Sequence, residues 1–313
     1  MESILNSCDT KKHILLTFDV EDWFQVENFK GYIPFSSWDS YELRVEKNTH
    51  EILDLLDSFS FSVKATFFVM GWIAQKLPQL VREIQSRGHE VASHGLNHHL
   101  CAELSPGALA ADLEQSKKLL EDITGIPIAG YRAPSFAINN DILKLIKDAG
   151  YMYDSSYNSF GMHGRYGKID LPERLRQSQV YRMFHDTLDS HDSDNHGSCY
   201  FHEIPISNLS VGSKVFPLGG GGYFRLIPFP LFRMGIKKIL TKQDAFVFYS
   251  HPWEFDPLQP RVRQASVGFR FRHYTNLHRT RKKLITFIES FSAIRFSRCS
   301  DYVTSTLAIQ EIA

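Results

Sequence analysis

Three carboxylates, Asp19, Glu21 and Asp22, stand within four residues directly after the apolar run Leu15-Leu16-Thr17-Phe18. Like charges this close do not all ionise at ease, so a cation or an arginine must neutralise them. The chain offers both. His94 and His98, in His94-Gly95-Leu96-Asn97-His98, are four apart, a spacing that on a helical turn puts two imidazoles on one side, near enough to share an ion. Two imidazoles and one carboxylate leave coordination positions free for water and substrate, as catalytic metals require. Arg132, in Tyr131-Arg132-Ala133-Pro134, could pair with a first-strand carboxylate and keep it ionised. His251, in Ser250-His251-Pro252-Trp253, titrates near neutrality and suits a general acid. Each feature alone is ordinary, since a chain with 14 histidines will hold an HxxxH by accident. Their positions along the chain make them specific.

Those positions are the ends of short apolar runs. His13–Phe18 reads as a buried strand, Val63–Met70 as a second, Glu90–Ser93 as a third and Pro127–Tyr131 as a fourth. Between them the spacing predicts helices over Glu46–Phe59, over Gln75–Arg87 and from Ser105-Pro106 to Gly125, with another from about Asp141 to Ala149. Strands alternating with helices argue for βαβ units and a parallel sheet. The carboxylates follow the first strand, the histidine pair the third, Arg132 the fourth, Asp154 the next apolar piece and His251 the run Ala245–Tyr249. Parallel α/β folds build active sites just past the carboxyl ends of their strands. The second half is less regular: Gly161–Ser198 is polar, Tyr200–Ile206 looks like a strand and Leu277–Phe291 a closing helix. One barrel-like α/β domain, elaborated in its C-terminal half, is expected.

The chain has 313 residues, 43% of them hydrophobic, which is ample for a large core. Basic and acidic residues balance at 35 each, which argues against nucleic-acid binding. The four cysteines form no CxxC pair and indicate neither a zinc knuckle nor a disulfide framework. No apolar leader precedes the first strand and no long apolar run exists, so a cytoplasmic protein is expected.

The order of motifs resembles the NodB-homology polysaccharide deacetylases, a carbohydrate esterase family. The matching pieces are Thr17-Phe18-Asp19-Val20-Glu21-Asp22, His94-Gly95-Leu96-Asn97-His98, Arg132-Ala133-Pro134-Ser135, Asp154-Ser155-Ser156 and Ser250-His251-Pro252-Trp253-Glu254, spread over residues 13–290. FDVEDWFQV, GYRAPSF and HPWEFDP look more narrowly like a subgroup found with exopolysaccharide loci and exosortase systems. The resemblance implies a distorted (β/α) barrel of fewer than eight strands. The chain is expected to divide into an extension at 1–12, the barrel domain at 13–290 and a tail at 291–313 that packs on it. The resemblance also implies a divalent ion, commonly zinc, with His94 and His98 as ligands. Asp19 would be the general base, Arg132 its tether and His251 the acid for the departing amine. Asp154 would line the groove and hold His251, while Pro134, Ser135 and Phe136 would form the substrate wall and offer a backbone N–H to the oxyanion. Tyr153 and Trp253 would stack on a sugar ring.

One departure matters. The family's first motif has two adjacent aspartates, and here Val20 takes the second place, where no aliphatic can bind metal. Glu21 returns to the side of Asp19 if the strand continues. Asp22 is the rival if the strand has already turned. Three further features stand apart. Gly219-Gly220-Gly221-Gly222 lacks the spacing of a phosphate loop and reads as a turn or as a platform that lets a sugar approach. His185–His202 is rich in His and Asp and reads as a solvated loop rather than a second metal site. Arg261–Lys283 carries eight Lys/Arg and no acid, suggesting contact with an acidic membrane or a lipid-linked substrate. The expected function is N-deacetylation of an N-acetylated saccharide for exopolysaccharide biosynthesis. An O-acetyl esterase, an allantoinase-like cyclic amide hydrolase and a catalytically silent carbohydrate-binding protein are the alternatives.

Overall fold

The computed structural model describes residues 12–161, 166–169, 180–183 and 201–310. The strands among them are β1 His13–Val20, β2 Ala65–Val69, β3 Glu90–Ser93, β4 Gly130–Tyr131, β5 Tyr153–Asp154, β6 Tyr181–Met183, β7 Phe201–Glu203, β8 Asn208–Val211, β9 Lys214–Pro217, β10 Ala245–Ser250 and β11 Arg295–Phe296. The α-helices are α1 Val45–Asp57, α2 Gly71–Lys76, α3 Pro78–Ser86, α4 Pro106–Thr124, α5 Asn140–Asp148, α6 Gly221–Leu226, α7 Phe229–Leu240, α8 Val267–Tyr274, α9 Leu277–Ser290 and α10 Cys299–Gln310. None of the described helices is long and apolar enough to cross a membrane.

The main sheet runs β10-β1-β2-β3-β4-β5-β7-β6, with β11 also on β1. Every pairing in it is parallel except β6 with β7, and β8 and β9 form a separate hairpin. β1 is buried along all its length, as a strand covered on both faces must be. Its two sides feed different cores. Ile14, Leu16 and Phe18 pack outward against the helices, while Leu15 points inward with Phe68, Ile204 and Val247. Tyr302 and Val303 of α10 join that inner core. The Cys299 N–H donates to Thr66 Oγ1 and the Ser300 N–H to the Glu90 carboxylate, fixing α10 at the amino ends of β2 and β3. Across the gap between β7 and β10 the chain makes single bridges: the Ser207 N–H donates to the Val247 carbonyl and the Tyr249 N–H to the Gly219 carbonyl. The result is a half-barrel of seven parallel strands, as the motif order implied.

Register delivers the site. Phe18 is level with Ser250, Asp19 with Phe68, and Ser93 with both Val69 and Tyr131. The residues that follow, His251, His94 and Arg132, therefore reach the same rim as Asp19.

Several local expectations change. Gln75–Arg87 is two helices, because Pro78 forces Leu77 out of helical geometry (φ −130°, ψ 57°). The stretch His94–His98 is not helical: Gly95 (φ 73°) and His98 (φ 58°) both take left-handed backbone, and this loop brings the imidazoles together. The later half contains α6, α7, α8 and α10, more regular structure than its sequence pattern suggests.

Candidate active site

β1 ends at Val20 and the chain turns at once, the Glu21 N–H donating to the Asp19 carbonyl at 3.0 Å. This tight turn, not continued strand alternation, sets the Glu21 carboxylate beside Asp19. Glu21 Oε1 accepts from Trp253 Nε1 at 3.3 Å and lies 3.4 Å from His251 Nε2. Glu21 Oε2 stands 2.8 Å from His98 Nε2, yet it is buried and receives no well-directed hydrogen bond. His94 donates from Nδ1 to the Arg132 carbonyl at 2.8 Å, which leaves the lone pair on Nε2. One ligand atom each from Glu21, His94 and His98 fall within 4.8 Å of one another.

These residues fit a divalent ion. Burial drives the His94 imidazole down to about 4, so it is a neutral donor near neutrality. Burial pushes Glu21 up, but His98, His251 and His94 outweigh it and hold the carboxyl at about 2. An ionised carboxylate with an orphaned oxygen facing an imidazole nitrogen is a ligand set, not a satisfied core contact.

Asp22 faces elsewhere. Its Oδ1 accepts from the Trp23 N–H at 2.8 Å, and its Oδ2 accepts from the N–H groups of Arg44 and Val45 at 2.6 and 2.8 Å. It thereby caps the start of α1, and burial nonetheless raises its carboxyl to about 6. The expectation that Asp22 competes with Glu21 for the ion is overturned.

Arg132 is completely buried. Its Nη1 donates to Asp19 Oδ1 and Thr17 Oγ1, each at 2.7 Å, and its Nε and Nη2 donate to the carbonyl and hydroxyl of Ser155. The guanidinium lies 4.0 Å from the centre of the Phe68 ring. One oxygen of Asp19 is thus fixed, and the other, Oδ2, points toward His251 Nε2 at 3.9 Å.

His251 is held by a residue that sequence reasoning left without a role. Its Nδ1 donates to Glu254 Oε1 at 2.9 Å, and the same oxygen takes the Ser250 hydroxyl and the His251 N–H. Glu254 Oε2 accepts from Arg225 Nε at 2.7 Å. Arg225 Nη1 donates to the carbonyls of His273 and Thr275, and Nη2 to that of Arg272. Burial lowers the His251 imidazole, but Glu21, Glu254 and Asp19 reverse this and hold it at about 9. The signal for Glu254 was its place three residues after His251 in the same motif. Arg225 had none.

Other expected contacts fail. Asp154 accepts from the N–H and hydroxyl of Ser156 and shares a hydrogen bond with Glu203; burial raises its carboxyl, and Glu254 takes the place beside His251. The Tyr153 hydroxyl donates to Glu90 in the inner core, away from any sugar. Trp253 is 7% exposed and its ring stacks with His251 (5.1 Å between ring centres) and His273 (4.1 Å), so no sugar stacks there. Pro134 is buried and is not among the residues that line the cavity. Ser135 and Phe136 do line the cavity, which measures about 280 Å³ and holds Asp19, Glu21, His94, His98, Trp253 and His251 in its walls. Three residues with left-handed backbone, His98, Ser135 and Phe136, line it as well. Strain of this kind gathers at functional sites. Most of the histidine-rich stretch 185–202, from His185 through Tyr200, lies outside the described residues.

The glycine run has a different reason from a sugar platform. A Cβ on Gly221 would lie 2.2 Å from Glu254 Oε1, and one on Gly220 would lie 2.7 Å from the Tyr249 hydroxyl. Gly221→Ala is expected to push Glu254 off His251 and lower kcat at least about tenfold while KM stays within a few-fold. A rise in KM alone, in steady-state kinetics, would restore the platform reading.

A parallel half-barrel of seven strands with helices packed on it is the NodB-type distorted-barrel fold. Residues 6–153 match the polysaccharide deacetylase family, and residues 155–304 match a domain of unknown function, DUF3473. The boundary falls inside the continuous sheet at β5, so His251, Glu254 and Arg225 come from the second region. A peptidoglycan-N-acetylglucosamine deacetylase of Bacillus cereus is 35% identical over 103 residues, covering 33% of this chain and 47% of that protein. A chitooligosaccharide deacetylase of Sinorhizobium fredii is 34% identical over 103 residues, again 33% of this chain and 47% of that protein. The chain thus spans under half the length of these curated relatives. A Mycobacterium smegmatis structure assigned as a polysaccharide deacetylase superposes with TM-score 0.60 at 19% identity, covering 95% of this chain and 91% of its own. An allantoinase superposes with TM-score 0.57 at 14% identity, covering 94% and 90%. These two share the fold.

Proposed function

We propose that the protein is a metal-dependent hydrolase that removes N-acetyl groups from an N-acetylated saccharide in the assembly of a surface polysaccharide. The observation that carries this is the convergence of Glu21, His94 and His98 beside an Arg132-tethered Asp19 and a Glu254-tethered His251 in one cavity. Binding alone needs no such set. The deacetylase names of the relatives that match the first half support the substrate class.

Two imidazoles and a carboxylate suit zinc. When bound, the ion supplies Lewis acidity to the amide carbonyl and to the attacking water. The chain does the rest. Asp19 accepts the water's proton at Oδ2, because Arg132 holds Oδ1. His251 Nε2 faces the same space and delivers a proton to the departing amine. The Phe136 N–H is committed to the Ala133 carbonyl at 2.9 Å, which leaves the Ser135 N–H as the wall's donor to the oxyanion. Acetate release from chitooligosaccharide is the test: it should vanish with chelator and return with zinc. Zinc-loaded protein that releases no acetate from chitooligosaccharide or peptidoglycan fragments would overturn the reading.

A further inference from the structure

A second, open groove of about 510 Å³ lies on the outer side of α8, with Arg261, Arg263 and Arg270 around it. Residues 261–283 include eight Lys/Arg and no Asp or Glu, and none of the eight joins an ion pair among the described residues. Three of them have partners within the chain: Lys283 donates to the carbonyls of Phe224 and Ile227, Arg261 sits 4.8 Å from the centre of the Tyr274 ring, and Arg279 Nε donates to His278 Nε2. Arg263 carries no such contact among the described residues, and Arg270 keeps an unpartnered Nε. Large apolar side chains stand out among these cations. Val267 is 73% exposed and Phe271 59%, one turn apart on α8, and both line the groove. Exposed apolar groups of this size need a reason when they cluster.

We propose that α8 and the loop before it form a docking face for a membrane surface rich in anionic phospholipid. The arginines meet headgroup phosphates, and Val267 and Phe271 enter the headgroup–acyl boundary. Charge complementarity favours an anionic partner, and the apolar residues favour a lipid layer over a soluble polyanion, which would leave them wet. α8 also contributes Arg272 and His273 to the wall of the catalytic cavity, so the docked face adjoins that cavity. The docking face stands whether or not the cavity is a deacetylase site.

The test is co-sedimentation of the full chain with phosphatidylcholine vesicles, with and without phosphatidylglycerol. Binding is expected only with phosphatidylglycerol, and it should weaken as salt rises. Arg263→Glu with Arg270→Glu, and separately Val267→Ser with Phe271→Ser, should each weaken it at least about tenfold, with thermal melts confirming that both variants fold. The apolar pair keeps the test sharp if charge reversal disturbs folding. Equal sedimentation with neutral vesicles, no sedimentation, or retention on dextran sulfate without vesicle binding would overturn the proposal.

Discussion

Glu21→Gln is expected to abolish divalent-ion binding at the proposed site, while Asp22→Ala keeps that binding and loses stability instead. The amide put in place of the Glu21 carboxylate carries no charge, and the position that faces His98 Nε2 at 2.8 Å becomes a poor ligand. Loss of residues that merely orient ligands costs about 10- to 100-fold in metal affinity or activity. Loss of a ligand should exceed that, so a drop of more than about 100-fold in zinc affinity is expected, with acetate release falling in step. Asp22 stands outside the Glu21, His94 and His98 cluster. Its oxygens accept three backbone N–H groups and begin α1. Alanine there removes that cap and should cost about 1–2 kcal/mol in urea unfolding, with metal content per chain unchanged. Metal analysis of the two purified variants separates the roles. Zinc retained by Glu21→Gln and absent from Asp22→Ala would reverse the assignment.

Val20 shows what the sequence could and could not say about that choice. An aliphatic at the second motif position forces the ligand onward, which is legible from chemistry alone. Where the strand stops is not, because β1 persists to Val20 only through its pairing with Val69. The turn that presents Glu21 is then closed by one local hydrogen bond. The rim was legible for a related reason. Strand ends in a parallel sheet line up, so Asp19, His94, Arg132 and His251 could be gathered by counting apolar runs. The conformation between them could not. His94 and His98 look helical by spacing, yet Gly71 abuts Leu96, its N–H donating to the Gly95 carbonyl, and the loop folds around that contact. Asp154 was placed beside His251 by resemblance, but Glu254 is nearer in the chain and has the reach. The later half read as irregular in part because α6 and α8 have only six and eight residues, and because Arg225 binds backbone carbonyls, which leave no trace in residue identity.

Glu254→Gln should reduce kcat by about 10²- to 10⁴-fold, the range a positioned acid or base supplies, and leave KM within a few-fold. The side chain keeps its shape, so packing against Gly221 and Trp253 is preserved. Its charge does not survive. Glu254 now receives protons from His251 Nδ1, His251 N–H and Ser250 Oγ on one oxygen and from Arg225 on the other. An amide accepts at only one of its two ends. With its oxygen on Arg225 it would turn an N–H toward Nδ1, favour the opposite imidazole tautomer and lose one of the three carboxylates that hold His251 at about 9. The variant tests position separately from activity, because the ring-nitrogen NMR shifts of His251 report the tautomer without substrate. The glutamine variant should move the Nδ1 resonance, and Glu254→Asp, which restores the charge at shorter reach, should recover part of the rate. An unchanged Nδ1 signal with unchanged kcat would mean that the contact only packs the chain. A changed signal with no effect on rate would show that His251 is oriented by Glu254 but does not carry the proton. The same buried Arg225–Glu254 pair must also be counted in stability. Removing Arg225 would leave Glu254 charged and uncompensated, at about 3–5 kcal/mol, so the glutamine variant, not an Arg225 deletion, isolates the chemistry.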